Sequence, residues 1–321
     1  MSVTEDLKEK VLSGGTITRD EAIALWKEPI EALGKAADEI RRKFCGDSFD
    51  MCTIINGKSG LCPEDCKYCA QSARYGIGST ESYGLLSTEE ILKEARYNDE
   101  KGVLRFSIVT SGKRLSEPEV DSLCETIRAI KRETSLQVCV SLGLLDEEQF
   151  MKLKAAGASR VHCNLETSRR YFPQVCTTHT YDEKIETIRA AERAGLELCS
   201  GGIMGLGETV EDRIDMVITA RELGVRSVPV NLLNPIKGTP YENNEILTAE
   251  EAARCVAVFR FLIPDGNIRL AGGRGLLEDK GKRCFESGAN AAISGDMLTT
   301  AGITVDTDKK LLDELGYKVR V

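Results

Sequence analysis

Histidine and tryptophan are nearly absent from this 321-residue chain, which has 2 His and 1 Trp, and aromatic residues make up 5%. So few His exclude a metal site built mainly from imidazole. An excess of positive charge is missing too. With 43 Lys and Arg against 51 Asp and Glu, the net charge is −8, which excludes an electrostatic surface for nucleic acid or anionic lipid. No apolar run approaches the roughly 18 residues of a membrane span. The N-terminal MSVTEDLKEKVLSGG lacks the apolar core of a signal peptide. The expected setting is therefore cytoplasmic, with neither membrane nor nucleic acid as partner. A chain of this length can bury a sizeable core without cross-links.

What is abundant is cysteine, 12 residues in all. A reducing compartment keeps thiols free, so disulfides do not account for them. Some are expected to bind metal and the rest to pack as small hydrophobes.

Residues 1–45 read as a helical cap, with Thr18 ahead of RDEAIALWKEPIEALGKAADEIRRKF and apolar residues at helical spacing. Eight short apolar or β-branched runs follow, at 51–56, 104–110, 136–143, 160–166, 196–204, 227–234, 267–273 and 290–295. Amphipathic helical segments separate them, and several end in Gly. This alternation predicts a parallel sheet with right-handed crossovers. Eight units fit a (β/α)₈ barrel of the TIM type over 46–305, although a doubly wound sheet shares the local pattern. Residues 306–321 predict a final helix and an extension.

The densest chemistry lies in GLCPEDCKYCAQSARYGIG, where Cys62, Cys66 and Cys69 follow the first run as C-x₃-C-x₂-C. Thiolates suit zinc or iron–sulfur centres. Structural zinc takes four ligands. Three thiolates on a [4Fe–4S] cube leave one iron open for chemistry.

That spacing after a first barrel strand resembles the radical S-adenosylmethionine (SAM) superfamily, and CPEDCKYCAQSARY is similar to the biotin synthase family within it. The likeness extends through VCVSLG, NLETS, TTHTYDEKIETI, CSGGIMGLGET, VPVNLLNPIKGTP, IRLAGGR and SGDMLTT, covering about 45–305. The resemblance implies a sulfurtransferase that converts dethiobiotin to biotin with a 5′-deoxyadenosyl radical, two SAM being used per ring. It implies a [4Fe–4S] cluster on Cys62, Cys66 and Cys69, an auxiliary [2Fe–2S] cluster that supplies sulfur, an electron donor such as flavodoxin or ferredoxin, and a homodimer. By the same likeness Tyr68 packs near the adenine, and Asn164 and Glu166 contact SAM or substrate from one face of RVHCNLE. Gly201 and Gly202, with Gly205 and Gly207 beyond, let a ligand approach the backbone. Asn231 meets the ureido group, and Thr299 and Thr300 lie near the dethiobiotin carboxylate. His179 stands where the family commonly has an Arg facing the SAM carboxylate.

For the auxiliary cluster the resemblance implies Cys139, Cys199 and Arg269 as ligands. The family's remaining cysteine position is Ser107 here, in RFSIV. A serine oxygen substitutes poorly for a soft thiolate, so an altered auxiliary cluster is expected. Three residues are candidates to compensate. Strand alternation favours His162 over Cys163, and Cys176 lies in a loop over the barrel mouth. Cys45, Cys52, Cys124, Cys255 and Cys284 are expected in the core.

Two other readings compete. One is a related radical SAM maturase or mutase that abstracts hydrogen without inserting sulfur. The other is a non-catalytic iron–sulfur or zinc carrier.

Overall fold

Most helices begin where a Ser, Thr or Asp stands three residues ahead of a carboxylate or amide, and reciprocal capping boxes form at Thr18/Glu21, Ser87/Glu90, Asp146/Gln149, Thr180/Glu183, Thr209/Asp212 and Thr248/Glu251. A computed structural model describes residues 2–77, 81–295 and 302–320.

Three helices come first: α1 (Val3–Leu12), α2 (Arg19–Trp26) and α3 (Ile30–Cys45). Strand β1 (Ser48–Lys58) leads to α4 (Thr88–Glu100), β2 (Arg105–Thr110), α5 (Glu117–Glu133), β3 (Gln137–Ser141), α6 (Glu147–Ala156) and β4 (Ala158–His162). Helices α7 (Phe172–Val175) and α8 (Tyr181–Arg193) precede β5 (Glu197–Cys199) and β6 (Gly202–Met204). The order closes with α9 (Val210–Glu222), β7 (Ser227–Leu232), α10 (Ala249–Leu262), β8 (Asn267–Leu270), α11 (Lys282–Glu286), β9 (Ala291–Ile293), α12 (Val305–Glu314) and β10 (Lys318–Val319).

The named strands all pair in parallel, and β1-β2-β3-β4-β5-β7-β8-β9 returns to β1, with β6 on β7, so eight staves form a closed TIM-type barrel. Each of the eight apolar runs supplies one stave. The run 196–204 is interrupted at Ser200 and Gly201 and gives both β5 and β6. Helix α3 packs on α10, and α2 packs on α9 and α10, so the N-terminal helices cover the outside of the helical ring. The C-terminal extension joins β1 as β10, in register Ser48↔Lys318.

The reading of 160–166 as one strand needs correction. Strand β4 ends at His162, and Glu166 adopts φ +70° while bridging to Gly202. Asn164 and Glu166 therefore belong to the loop at the strand's C-terminal end. That is the face on which barrels of this kind build their sites.

Candidate active site

The mouth of the barrel holds a cavity of about 400 Å³, lined from the β1–α4 loop by Cys62, Cys66, Tyr68 and Cys69 and from the strand ends by His162, Asn164, Glu166 and Asn231. Backbone hydrogen bonds shape the cysteine loop: Cys62 N–H donates to Gln71 O, Ala73 N–H to Cys62 O, and Cys69 N–H to Cys66 O. Asp65 ties this loop to residues 176–178, accepting from the Thr177 and Thr178 backbone N–H groups and from both hydroxyls. Among the described residues, Cys62, Cys66 and Cys69 do not form a group whose sulfurs all lie within 4.8 Å of one another. Three thiols spread along a cavity wall fit a multi-iron centre better than a single ion.

Side chains opposite form a polar chain. The Tyr68 hydroxyl donates to Glu166 Oε1 at 2.9 Å, Asn164 Nδ2 to Glu166 Oε2 at 3.3 Å, and Asn164 Oδ1 meets His162 Nε2 at 2.7 Å. Burial, then the Glu166 charge, pushes the Tyr68 phenol well above its ordinary pKa, so it stays a donor. Tyr68→Phe strands one Glu166 oxygen, and a stability loss of about 1–2 kcal/mol is expected by denaturant unfolding.

Asn231 lines the cavity with its amide committed: Nδ2 donates to Gly202 O at 3.0 Å, and Oδ1 accepts from Gly272 N–H at 2.9 Å. A Cβ on Gly201 would sit 2.1 Å from Pro229 O, and one on Gly202 would sit 2.2 Å from Glu166 O. These glycines are thus demanded by strands crossing closely, not by a ligand. Thr299 and Thr300 lie outside the described residues.

His179 lines the cavity, but Glu64 pairs with it there, so it is not a free cation. Its Nδ1 is 2.5 Å from Glu64 Oε2 and 3.3 Å from Cys176 Sγ. Two lysines line it: Lys113, paired with Glu183 at 2.9 Å, and Lys184, which is 8% exposed with its ammonium 5.8 Å from the Phe172 ring. Burial disfavours its charge, but the neighbouring Cys163, Glu166 and Cys66 outweigh this and raise its pKa. The sequence held one signal for it. Tyr181, Lys184, Thr187 and Ile188 fall on the buried face of α8, so a lysine occupies a core position.

Beneath the cavity the strands alternate. Ile54, Val109 and Ser141 line it, so Cys52, Ser107 and Cys139, two residues earlier, point inward one layer deeper. The Cys52 thiol donates to Thr53 O at 3.3 Å and lies close to Cys139, and that closeness, with Arg160 and Arg105 nearby, outweighs burial to hold Cys139 below its ordinary pKa. The closeness of Cys139, with burial, raises Cys52. One proton leaves this pair readily and the second with difficulty. Cys199 Sγ lies 3.3 Å from Ser227 Oγ. Arg269 donates to Asp50 Oδ1 at 2.6 Å, to Asp50 O and Ala292 O at 3.1 Å each, and to Ser227 Oγ at 3.5 Å. Burial works against the Asp50 charge, yet Arg269, Arg105 and Arg160 hold that carboxyl far below its usual range.

Cys52 is buried in the core, as expected, and its place on β1 puts it in this inner layer. Cys176 neighbours Cys66, Asp65, Thr178 and His179, and neither Cys139 nor Cys199 is among its partners. Cys163 lines the cavity beside His162. Cys124, Cys255 and Cys284 are buried among apolar side chains, and Cys45 is half-buried.

An eight-stave barrel with three loop thiols at its mouth is the architecture of a radical SAM enzyme, and residues 58–220 match the Radical SAM superfamily. Residues 229–318 match the Biotin and Thiamin Synthesis associated domain. A biotin synthase of Akkermansia muciniphila is 58% identical over 100% of both chains. Biotin synthase 2 of Corynebacterium diphtheriae is 57% identical over 99% of this chain and 97% of its own. The chain belongs to the biotin synthase family. In fold it is similar to methylornithine synthase, at TM-score 0.85 and 21% identity over 98% of this chain and 97% of that one. It is also similar to a maturase of the [FeFe]-hydrogenase, at TM-score 0.83 and 19% identity over 99% and 76%.

Proposed function

We propose that this chain inserts sulfur into dethiobiotin to form biotin, with Cys62, Cys66 and Cys69 holding a [4Fe–4S] cluster and the inner layer holding an auxiliary iron–sulfur cluster. When bound, SAM and its cluster supply a 5′-deoxyadenosyl radical, and the auxiliary cluster supplies sulfur. The observation that carries this reading is the second set of thiols, Cys52, Cys139 and Cys199, directly below a cavity already bordered by three others. A carrier or a hydrogen-abstracting relative needs no such layer.

The chain's own residues have separable tasks. Tyr68, Asn164 and Glu166 form one hydrogen-bonded wall that orients a polar ligand such as the ribose of SAM. Lys184 supplies the positive charge that a carboxylate needs. Asn231, braced by Gly202 and Gly272, holds its amide at the cavity rim toward a ureido group. The barrel walls exclude water from a reactive radical. Cys52 takes the ligand place that Ser107 leaves vacant. Four of the five Arg269 N–H groups are engaged, and a charged guanidinium has no lone pair to offer. Arg269 therefore acts as a counter-charge to the thiolates, with Asp50 fixing its position. The auxiliary cluster differs from a [2Fe–2S] centre with an Arg ligand.

The reading includes a flavodoxin- or ferredoxin-type electron donor, a homodimer and a cytoplasmic setting. None of the helices among the described residues is long and apolar enough to cross a membrane. Anaerobic incubation with dethiobiotin, SAM and a reductant tests the reaction. Biotin and 5′-deoxyadenosine are both expected, and deoxyadenosine without biotin would favour the maturase or mutase reading.

A further inference from the structure

Behind the cysteine loop Cys176, itself outside the cavity lining, reaches Cys66 and His179, which line it. Its Sγ is 3.7 Å from Cys66 Sγ and 3.3 Å from His179 Nδ1, and the three ligand atoms all lie within 4.8 Å of one another. A tetrahedral zinc ion with Zn–S bonds of ~2.3 Å and Zn–N bonds of ~2.0 Å separates two sulfurs by about 3.8 Å and sulfur from nitrogen by about 3.6 Å. The two edges in the structure are close to those lengths.

The surroundings favour a divalent cation. Glu64 Oε2 lies 2.5 Å from His179 Nδ1, and Asp65 Oδ1 lies 3.2 Å from Cys176 Sγ, so two carboxylates border the sulfurs. His179 is 8% exposed, its Nδ1 proton is held by Glu64 and its Nε2 is buried without a partner, so a metal at Nδ1 must displace that proton, to Nε2 or to the Glu64 carboxylate. With that proton moved, Nδ1 faces the two sulfurs with a lone pair for a metal. Cys62 and Cys69, the other two thiols of the loop, stand outside the group. The arrangement is thus a single-ion site that shares one thiol with the loop and recruits two residues from the 176–179 segment.

We propose that in the cluster-free chain Cys66, Cys176 and His179 bind one zinc ion, which must leave before the loop takes up its iron–sulfur cluster. The binding site stands by itself, and its competition with the cluster rests on Cys66 being a cluster ligand. Two thiolates and an imidazole are a strong zinc donor set, and zinc lies above ferrous iron in the affinity order for such ligands. Occupancy by zinc therefore withholds Cys66 from iron until a competing chelator or excess iron removes the ion.

The test uses the cluster-free full-length protein under anaerobic conditions, in a Cys62→Ser, Cys69→Ser background that leaves Cys66 as the only thiol of the triplet. One equivalent of cobalt(II) is expected to give tetrahedral visible bands with thiolate-to-cobalt charge transfer, and zinc to bleach them. Adding Cys176→Ser is expected to remove that equivalent, and His179→Gln to weaken it about tenfold or more. An unchanged cobalt spectrum with Cys176→Ser overturns the site and assigns the ion to the deeper barrel thiols. Loading is read separately. Zinc added before ferrous iron and sulfide is expected to delay cluster absorbance in the unmodified protein and to do so far less in Cys176→Ser. Equal delays overturn the competition, whereas failure of cluster assembly without zinc would count against the cluster assignment itself.

Discussion

Cys52→Ala is expected to yield a folded protein that still releases 5′-deoxyadenosine from SAM but carries less iron and sulfide and makes no measurable biotin. The expected loss of biotin formation exceeds about 100-fold, since removing even the outer partners of metal ligands costs about 10–100-fold. The argument is geometric. Ser107 stands beside Cys139 in the sheet register, where the family resemblance implies a cysteine, so the inner layer is one thiolate short. Cys52, on the adjacent strand β1, lies close enough to Cys139 and Arg269 for each to act on its thiol, so that thiol reaches the same space. Iron and sulfide analysis with Mössbauer spectroscopy separates the outcomes. Restoring the missing thiol on β2, as Cys52→Ala with Ser107→Cys, should recover auxiliary iron binding. Cys52→Ala with normal iron, sulfide and biotin would return Cys52 to a packing role. The cluster-free variant should unfold within about 1–2 kcal/mol of the parent, because a small side chain leaves only a small cavity.

The barrel was legible because its staves are covered on both faces and read as short apolar runs between amphipathic helices. The same double burial hid Cys52. In MCTIIN both faces of β1 are apolar, so alternation alone cannot say which side is the barrel interior, and a cysteine there reads as packing. The loop triplet was legible from spacing because its ligands are local in sequence. Lys184 was not, since its meaning depends on α8 turning a core position toward a polar cavity. Gly201 and Gly202 meet a packing demand that the sequence did not show. Their missing side chains admit Pro229 and Glu166 backbone oxygens, a contact made only once the fifth stave breaks between β5 and β6. Asn164 and Glu166 share a face as expected, although hydrogen bonds through a loop, and not strand parity, hold them together.

Lys184→Met is expected to weaken SAM binding about 100-fold, or roughly 2–3 kcal/mol, with cluster content unchanged, while Lys184→Arg keeps affinity within about tenfold. A carboxylate entering a cavity this enclosed needs a cation, because low local dielectric makes an unpaired charge costly. Sequence resemblance points to position 179 for that role, but Glu64 already neutralises His179, and its Nδ1 is also turned to Cys176. Lys184 lines the cavity with no salt bridge to a carboxylate among the described residues, and its pKa is raised, so it stays charged over the neutral range. The two assignments differ in their dependence on pH. Binding through Lys184 stays flat as pH rises from about 6 to 9, well below the usual lysine value near 10.4. Binding through a protonated His179 is strong only below the imidazole pKa and falls as pH climbs through it. Anaerobic calorimetry of SAM binding across that range, on the parent, Lys184→Met and His179→Gln, decides between them. A pH-dependent fall in the parent that disappears in His179→Gln, with Lys184→Met binding normally, would overturn the lysine assignment.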